Sequence, residues 1–356
     1  MVRTFIIAEA GVNHNGSLDL AFQLVDVAVA AGVDAVKFQT FKTENLVTQN
    51  APQAQYQEKN IGTKSSQFEM LKNLELSYEE FRILKRYCDD KNIKFLSTPF
   101  DLESVDFLTK ELGLTLIKIP SGEITNAPYL YKIASSGADM IVSTGMATVE
   151  EIHHSLAVLA YGLANKKDNI SFADVCEFYQ TIEAKRLLKE KVKILHCTTE
   201  YPTPYEEVNL NAMEMIRDEF LLDVGLSDHS KGILVPIAAV AKGALTIEKH
   251  FTIDKRLNGP DHKASLNPDE LKEMVYSIRL IEKAMGRNKK EPTLSEIRNS
   301  RVVRKSLVAA KEIKKGEVFT VDNLTIKRPG TGIVPYLYWD YIGKVAEKGY
   351  ERDELI

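Results

Sequence analysis

Eight short β-rich runs recur through the first 285 residues, and amphipathic helical stretches separate most of them. The runs are TFIIAEAG, DAVKFQT, IKFLSTPF, TLIKIPSG, MIVSTGM, VKILHCTT, LDVGLSD and ALTIEKHF. Between them lie stretches such as LDLAFQLVDVAVAAG, headed by the capping residue Ser17, then YEEFRILKRYCDDKN, VEEIHHSLAVLAYGLAN and PDELKEMVYSIRLIEKAMG. Strands that alternate with helices pair in parallel, because each crossover helix returns the chain to start the next strand in the same direction. Eight such units predict an α/β fold, a closed (β/α)8 TIM barrel of about 250 residues. An open doubly wound sheet is the alternative, but no GxGxxG turn follows the first run.

Two connections are long. Residues 41–76 are polar and Gln/Asn-rich and read as a loop on the active-site face. Residues 165–191 are charged and read as a solvated surface insertion with one extra helix, FADVCEFYQTIEAKRLLKEK. The pattern changes after Gly286. We expect a barrel over 1–285, a lysine-rich linker over 286–297 and a small β-rich domain over 298–356. A domain of about 60 residues is marginally stable unless it packs on something.

Composition narrows the function classes. Hydrophobic residues are 44% and charged residues 27%, as in a soluble globular protein. The net charge of −4, with mixed signs, argues against a nucleic-acid partner. The longest apolar run, ILVPIAAVA, falls short of the roughly 20 residues of a membrane helix. MVRTFIIAEAGVNHNG lacks the layout of a signal peptide, and Cys88, Cys176 and Cys197 show no CxxC spacing. The expectation is a cytoplasmic protein with reduced thiols and no membrane partner.

In a barrel, catalytic groups project from the C-terminal strand ends. Those ends supply Glu9, Lys37 and Gln39, Thr98, Lys118 with Ser121 and Glu123, Ser143, then Thr199 and Tyr201. The last two strands end in Ser227 and His229, then Glu248 and His250, with Asp261 in the loop beyond. Parallel strands are covered on both faces, so Lys37 and Lys118 need anionic partners. With hydroxyls from Thr98, Ser121, Ser143 and Ser227 they suit a phosphate and a carboxylate. His229 and His250 end consecutive strands, which pair ~5 Å apart. Two imidazoles there could share a divalent metal.

The ordered motifs IAEAGVNHNG, VKFQTF, FLSTPFD, IKIPSGEITN, IVSTGMAT, LHCTTEYPTP, GLSDHSKG, TIEKHFT and GPDHKASL resemble the sialic acid (nonulosonic acid) synthase family. SLVAAKEIKKGEVFTVDNLTIKRPGTG resembles that family's antifreeze-like, β-clip SAF domain. The resemblance implies condensation of phosphoenolpyruvate with the open-chain aldehyde of an N-acylated amino sugar. The products are phosphate, released by C–O cleavage, and a nine-carbon 2-keto acid. It implies that His229 and His250 hold a divalent metal, usually Mn2+, with Mg2+ or Co2+ as alternatives. Lys37, Thr98, Lys118, Ser121, Ser143 and Ser227 fall where the family binds phosphoenolpyruvate. Gln39, Glu123, Tyr201 and Asp261 match its sugar-binding positions, and Glu9 matches a carboxylate that positions or activates water. Arg328, in KRPG, matches an arginine that reaches the partner's sugar site, which implies a domain-swapped homodimer.

Thr198-Thr199-Glu200 departs from the Thr-Asn-apolar run typical of the family's neuraminate members. An acidic residue before the tyrosine is more typical of relatives acting on 2,4-diacetamido-6-deoxy sugars. The YPTP ending with EEVNLNAM leans toward legionaminate rather than pseudaminate. Two readings of other classes compete. One is a Schiff-base aldolase using Lys118 or Lys249 with free pyruvate; the other is a non-catalytic carbohydrate- or ice-binding protein.

Overall fold

A computed structural model describes residues 3–62, 66–166 and 170–356. Residues 63–65 and 167–169, within the two long connections, lie outside the described ones. The chain divides into two units, Met1–Gly286 and Arg287–Ile356.

The first unit carries β1 (Phe5–Gly11), β2 (Ala35–Thr40), β3 (Lys94–Pro99), β4 (Leu116–Ile119), β5 (Asp139–Ser143), β6 (Val192–Cys197), β7 (Asp223–Asp228) and β8 (Thr246–His250). They hydrogen-bond in the order β3-β2-β1-β8-β7-β6-β5-β4, every ladder parallel. β3 and β4 lie side by side and complete the ring. This is the TIM-type barrel that the eight repeats imply, not an open doubly wound sheet.

The strand period of two sorts each run into an outer and an inner set. Ile6, Ala8, Ala10, Val36 and Phe38 point outward and join the core shared with the helices. Ile7, Ala35, Leu96, Ile141 and Leu195 point inward and form a separate apolar layer inside the barrel. Two residues further along each of these strands, the inner positions become Glu9, Lys37, Thr98, Ser143 and Cys197. At Gly225 the strands come too close for a side chain: an added Cβ would sit 2.2 Å from the Thr246 carbonyl oxygen.

The helices cap as their sequences specify. Ser17 Oγ accepts from the Leu20 amide at 3.3 Å, and Ser77, Thr148 and Asn267 close capping boxes with Glu80, Glu151 and Glu270. Each buries one apolar stripe, such as Leu24, Val25 and Ala28 on Leu18–Ala31.

Three segments differ from their sequence reading. The polar connection after β2 contains helices Thr43–Leu46, Gln55–Ile61 and Gln67–Leu74, held by a small core of Val12, Phe41, Met70 and Leu74. Isolated apolar residues in a polar context carry that packing, so composition alone hides it. The stretch before β6 is two helices, Phe172–Tyr179 and Ile182–Lys191, restarted at the Thr181 cap. Nor is it a solvated insertion, because Val175, Phe178, Ala184 and Leu188 join the main core at helical spacing. In the second unit a helix, Leu294–Val303, capped by Thr293 and Glu296, occupies part of the segment read as linker.

That second unit pairs β9 (Ser306–Ala309) with β10 (Leu324–Lys327) antiparallel. Leu307, Ala309, Ile313, Phe319, Leu324 and Ala346 form its own core. Among the described residues no helix is long and apolar enough to cross a membrane.

Candidate active site

The inner polar layer opens into a cavity of about 300 Å³ at the C-terminal end of the barrel strands. Its floor is a buried charge quartet. Lys37 Nζ lies 2.8 Å from Glu9 Oε2 and 3.5 Å from Glu248 Oε2. Lys118 Nζ lies 3.5 Å from Glu248 Oε1. Each ammonium also donates to a hydroxyl, Lys37 to Thr98 at 3.0 Å and Lys118 to Ser143 at 2.6 Å. Ser227 Oγ donates to Glu248 at 2.7 Å, and Gln39 Nε2 to Glu9 at 3.2 Å. These four charged side chains are at most 5% exposed, so each ion depends on the others for compensation.

The quartet drives its two carboxylates apart. Burial pushes Glu9 up to about 7; Lys37 pulls it down and Glu248 pushes it further up. Burial would also raise Glu248, but Lys118 and then Lys37 outweigh it and hold the carboxyl down at about 2. The lysines diverge as well. Burial lowers both ammoniums, yet Glu248 and Glu9 carry Lys37 above its ordinary value, whereas Lys118 stays below. One carboxylate is thus a fixed anion and the other is poised to exchange a proton near neutrality.

The same cavity is lined by two imidazoles with ring centroids 5.4 Å apart. The Tyr201 ring backs both, 4.0 Å from His229 and edge-on to His250 at 5.5 Å. Tyr201 is itself stacked on Tyr56 at 4.9 Å. His229 Nδ1–H donates to the Thr198 carbonyl at 2.6 Å, which leaves the Nε2 lone pair free as a ligand. His250 Nδ1 is buried with no hydrogen-bond partner, and Asp261 Oδ2 is 4.0 Å from it. Burial and the neighbouring His229 keep His250 well below the usual histidine range, so it is neutral. Burial lowers His229 too, but Cys197, whose sulfur is 3.8 Å from Nδ1, carries it above the usual value. Burial raises Asp261 to about 6.

This donor set fits a divalent metal. Two adjacent imidazoles are available, one with an orphaned buried nitrogen. Among the described residues no group of three or more His, Cys, Asp or Glu side chains is arranged to hold an ion. An ion on the pair therefore keeps open positions, as catalytic rather than structural sites do.

All but three of the residues singled out from the sequence line this one cavity. Glu123 instead accepts from Asn126 at 2.6 Å and lines an adjacent cleft with Phe100 and Asn45. Arg328 is exposed in the second unit. Lys249 points to the outer side of β8 and does not line the cavity, which removes it as a Schiff-base lysine. Glu248 emerges as the charge that joins both lysines. The signal was its position two residues before His250, on the same strand face. Tyr56 and the apolar wall of Leu46, Val47, Met70 and Leu71 come from the long connection, where no periodicity marks them.

The NeuB family profile matches residues 24–290, three-quarters of the chain. The chain belongs to the NeuB family. A SAF domain matches residues 304–356. The chain is 51% identical to the N,N'-diacetyllegionaminic acid synthase of Campylobacter jejuni, covering 100% of this chain and 99% of that one. A pseudaminic acid synthase of C. jejuni is 34% identical, covering 99% and 95%. The crystal structure of an N-acetylneuraminic acid synthetase from Leptospira borgpetersenii, in complex with citrate, superposes with a TM-score of 0.66 at 33% identity. It covers 83% of this chain and 90% of that one.

Proposed function

We propose that this chain joins phosphoenolpyruvate to the aldehyde of 2,4-diacetamido-2,4,6-trideoxymannose, giving a legionaminate-type nine-carbon 2-keto acid and phosphate. One observation carries the reaction class: two buried lysines with hydroxyl partners and two histidines line a single cavity. The sugar follows from the higher identity to a legionaminic than to a pseudaminic acid synthase. The acidic Glu200 before Tyr201 supports the same sugar.

Lys37 and Lys118, with Thr98, Ser121, Ser143 and Ser227, hold the phosphate and carboxylate of phosphoenolpyruvate. His229 and His250 hold a divalent metal, Mn2+ in the first instance, which supplies Lewis-acid polarisation of the sugar aldehyde. Gln39, Tyr201 and Asp261 orient the sugar. Carbon 3 of phosphoenolpyruvate bonds to the aldehyde carbon, and the former carbonyl oxygen takes up a proton. Water then adds at carbon 2, giving up its proton to the Glu9 carboxylate 2.8 Å from Lys37. The carbon 2–oxygen bond breaks, the carbon 2 hydroxyl passes its proton to the departing oxygen, and phosphate leaves with the bridging oxygen to uncover the keto group. Glu123 and Arg328 are proposed sugar contacts, Arg328 by serving a second copy of the chain in a swapped homodimer. Arg328→Ala should raise the sugar KM while phosphoenolpyruvate affinity stays within twofold; an unchanged sugar KM removes it from the site.

A phosphate-release assay with Mn2+ and phosphoenolpyruvate tests the substrate. We expect 2,4-diacetamido-2,4,6-trideoxymannose to react fastest, ahead of N-acetylmannosamine and of the altrose isomer. Preference for N-acetylmannosamine makes the chain a neuraminate synthase, and preference for the altrose isomer makes it a pseudaminate synthase.

A further inference from the structure

One buried ion pair has no part in lining the cavity. Asp228 and Lys249 are partners across the β7–β8 ladder. Their side chains turn away from the barrel interior and meet at 2.5 Å, only 2% and 0% exposed. Lys249 Nζ also donates to the Ser230 carbonyl. Asp228 Oδ1 accepts from the Ser230 amide at 2.9 Å. The three bonds curl residues 228–230 and tie them to β8. His229 sits inside the curl and His250 directly follows Lys249.

A buried ion pair is weak evidence for stability, because well-packed apolar residues of similar volume often do as well. Its use here is geometric. The pair fixes both the turn that carries one imidazole and the strand end that carries the other. A shift of either would change the 5.4 Å ring spacing. No side-chain bond joins the pair to the floor lysines, since Lys37 and Lys118 bond to Thr98, Ser143, Glu9 and Glu248; Ser227 and Glu248 touch it only through the chain, as its preceding residues.

We propose that Asp228 and Lys249 are positioning residues that set the spacing of His229 and His250 for a shared divalent ion, acting from the outer face of the barrel. This rests on the metal reading given above. Outer groups that orient metal-binding histidines typically contribute about 10–100-fold in metal affinity.

The test is Mn2+ titration of the full chain, read by calorimetry and by the electron paramagnetic resonance signal of free Mn2+. The variants are Lys249→Met and the paired Asp228→Leu/Lys249→Met. The paired variant leaves no buried ion uncompensated and keeps the fold available for measurement, checked by its melting temperature. We expect its Mn2+ Kd to rise about 10–100-fold, with the phosphoenolpyruvate Kd within twofold of the unsubstituted chain. An Mn2+ Kd within twofold of the unsubstituted chain overturns the positioning role. Equal losses of Mn2+ and phosphoenolpyruvate binding overturn it too, since the effect would then be general. If the unsubstituted chain takes up no Mn2+, or His229→Ala/His250→Ala takes up as much, the metal reading itself falls and the positioning role with it.

Discussion

Two successive layers of inward side chains fill the barrel. The first is apolar: Ile7, Ala35, Leu96, Ile141 and Leu195. The second holds Glu9, Lys37, Lys118 and Glu248, buried like the first but charged. The apolar layer gains stability from burial in proportion to area and needs no fixed partners. Its charged neighbour loses solvation on burial and is held only by mutual compensation. The contrast teaches that a barrel can afford a costly layer where substrate enters because a dry, packed layer lies beneath it.

The comparison can be broken from either side. The largest expected effect is on catalysis. His250→Ala should lower kcat/KM by on the order of 10³, as expected for losing several kcal/mol of Lewis-acid stabilisation, with an unchanged melting temperature. A loss under tenfold in steady-state phosphate release would mean the imidazole is not in the reaction. Next, Glu248→Ala should destabilise the fold by about 3–5 kcal/mol, because it strands the buried Lys118 ammonium and leaves Lys37 only Glu9. Urea unfolding measures this, and a loss under 1 kcal/mol would show that Lys118 is not charge-compensated by Glu248. Ile141→Ala, one layer below, should cost about 2–5 kcal/mol through its cavity while the phosphoenolpyruvate KM stays within twofold. A large KM change there would erase the distinction between the layers.

The smallest effect is the pH dependence of the polar layer. Glu9 holds its proton to about pH 7 in the folded chain against an ordinary value of 4.5. Its contribution to stability is therefore present below pH 4.5 and lost as pH rises through 7. Glu248 runs the other way: its contribution is present above 4.5 and lost as pH falls through about 2. Glu9→Gln should flatten the fall in melting temperature between pH 4.5 and 7. It should also remove the acidic limb of kcat/KM near pH 7, which the proposed base role requires. An unchanged limb would assign the titration to another group.

How much of this was legible in the sequence follows the same division. The period of two exposed the strand-end sets, and the ladder order brought Lys37, Lys118, His229 and His250 to one cavity. Helix starts were legible at Ser17 because its hydroxyl has one local partner, the Leu20 amide. What composition hid was long-range packing. Val175, Phe178, Ala184 and Leu188 sit in a charged stretch, yet they complete the core against the helix Val149–Leu163. Tyr56 reaches Tyr201 only through the fold of the connection after β2. Glu248 stood in plain view between better-known side chains; only the distances to both lysines give it its role. Lys249, a candidate nucleophile by type, is excluded by the direction its strand position imposes.

The aldolase alternative now depends on Lys118, whose ammonium burial holds below the ordinary value. It and the synthase reading part over the fate of one oxygen. The chain should be given phosphoenolpyruvate labelled with ¹⁸O in the bridging position, Mn2+ and 2,4-diacetamido-2,4,6-trideoxymannose, and the products weighed by mass spectrometry. The expected result is phosphate carrying the label together with a nine-carbon 2-keto acid. Unlabelled phosphate, or no phosphate here together with a borohydride-trapped adduct of Lys118 in a parallel reaction supplied with pyruvate, would contradict it.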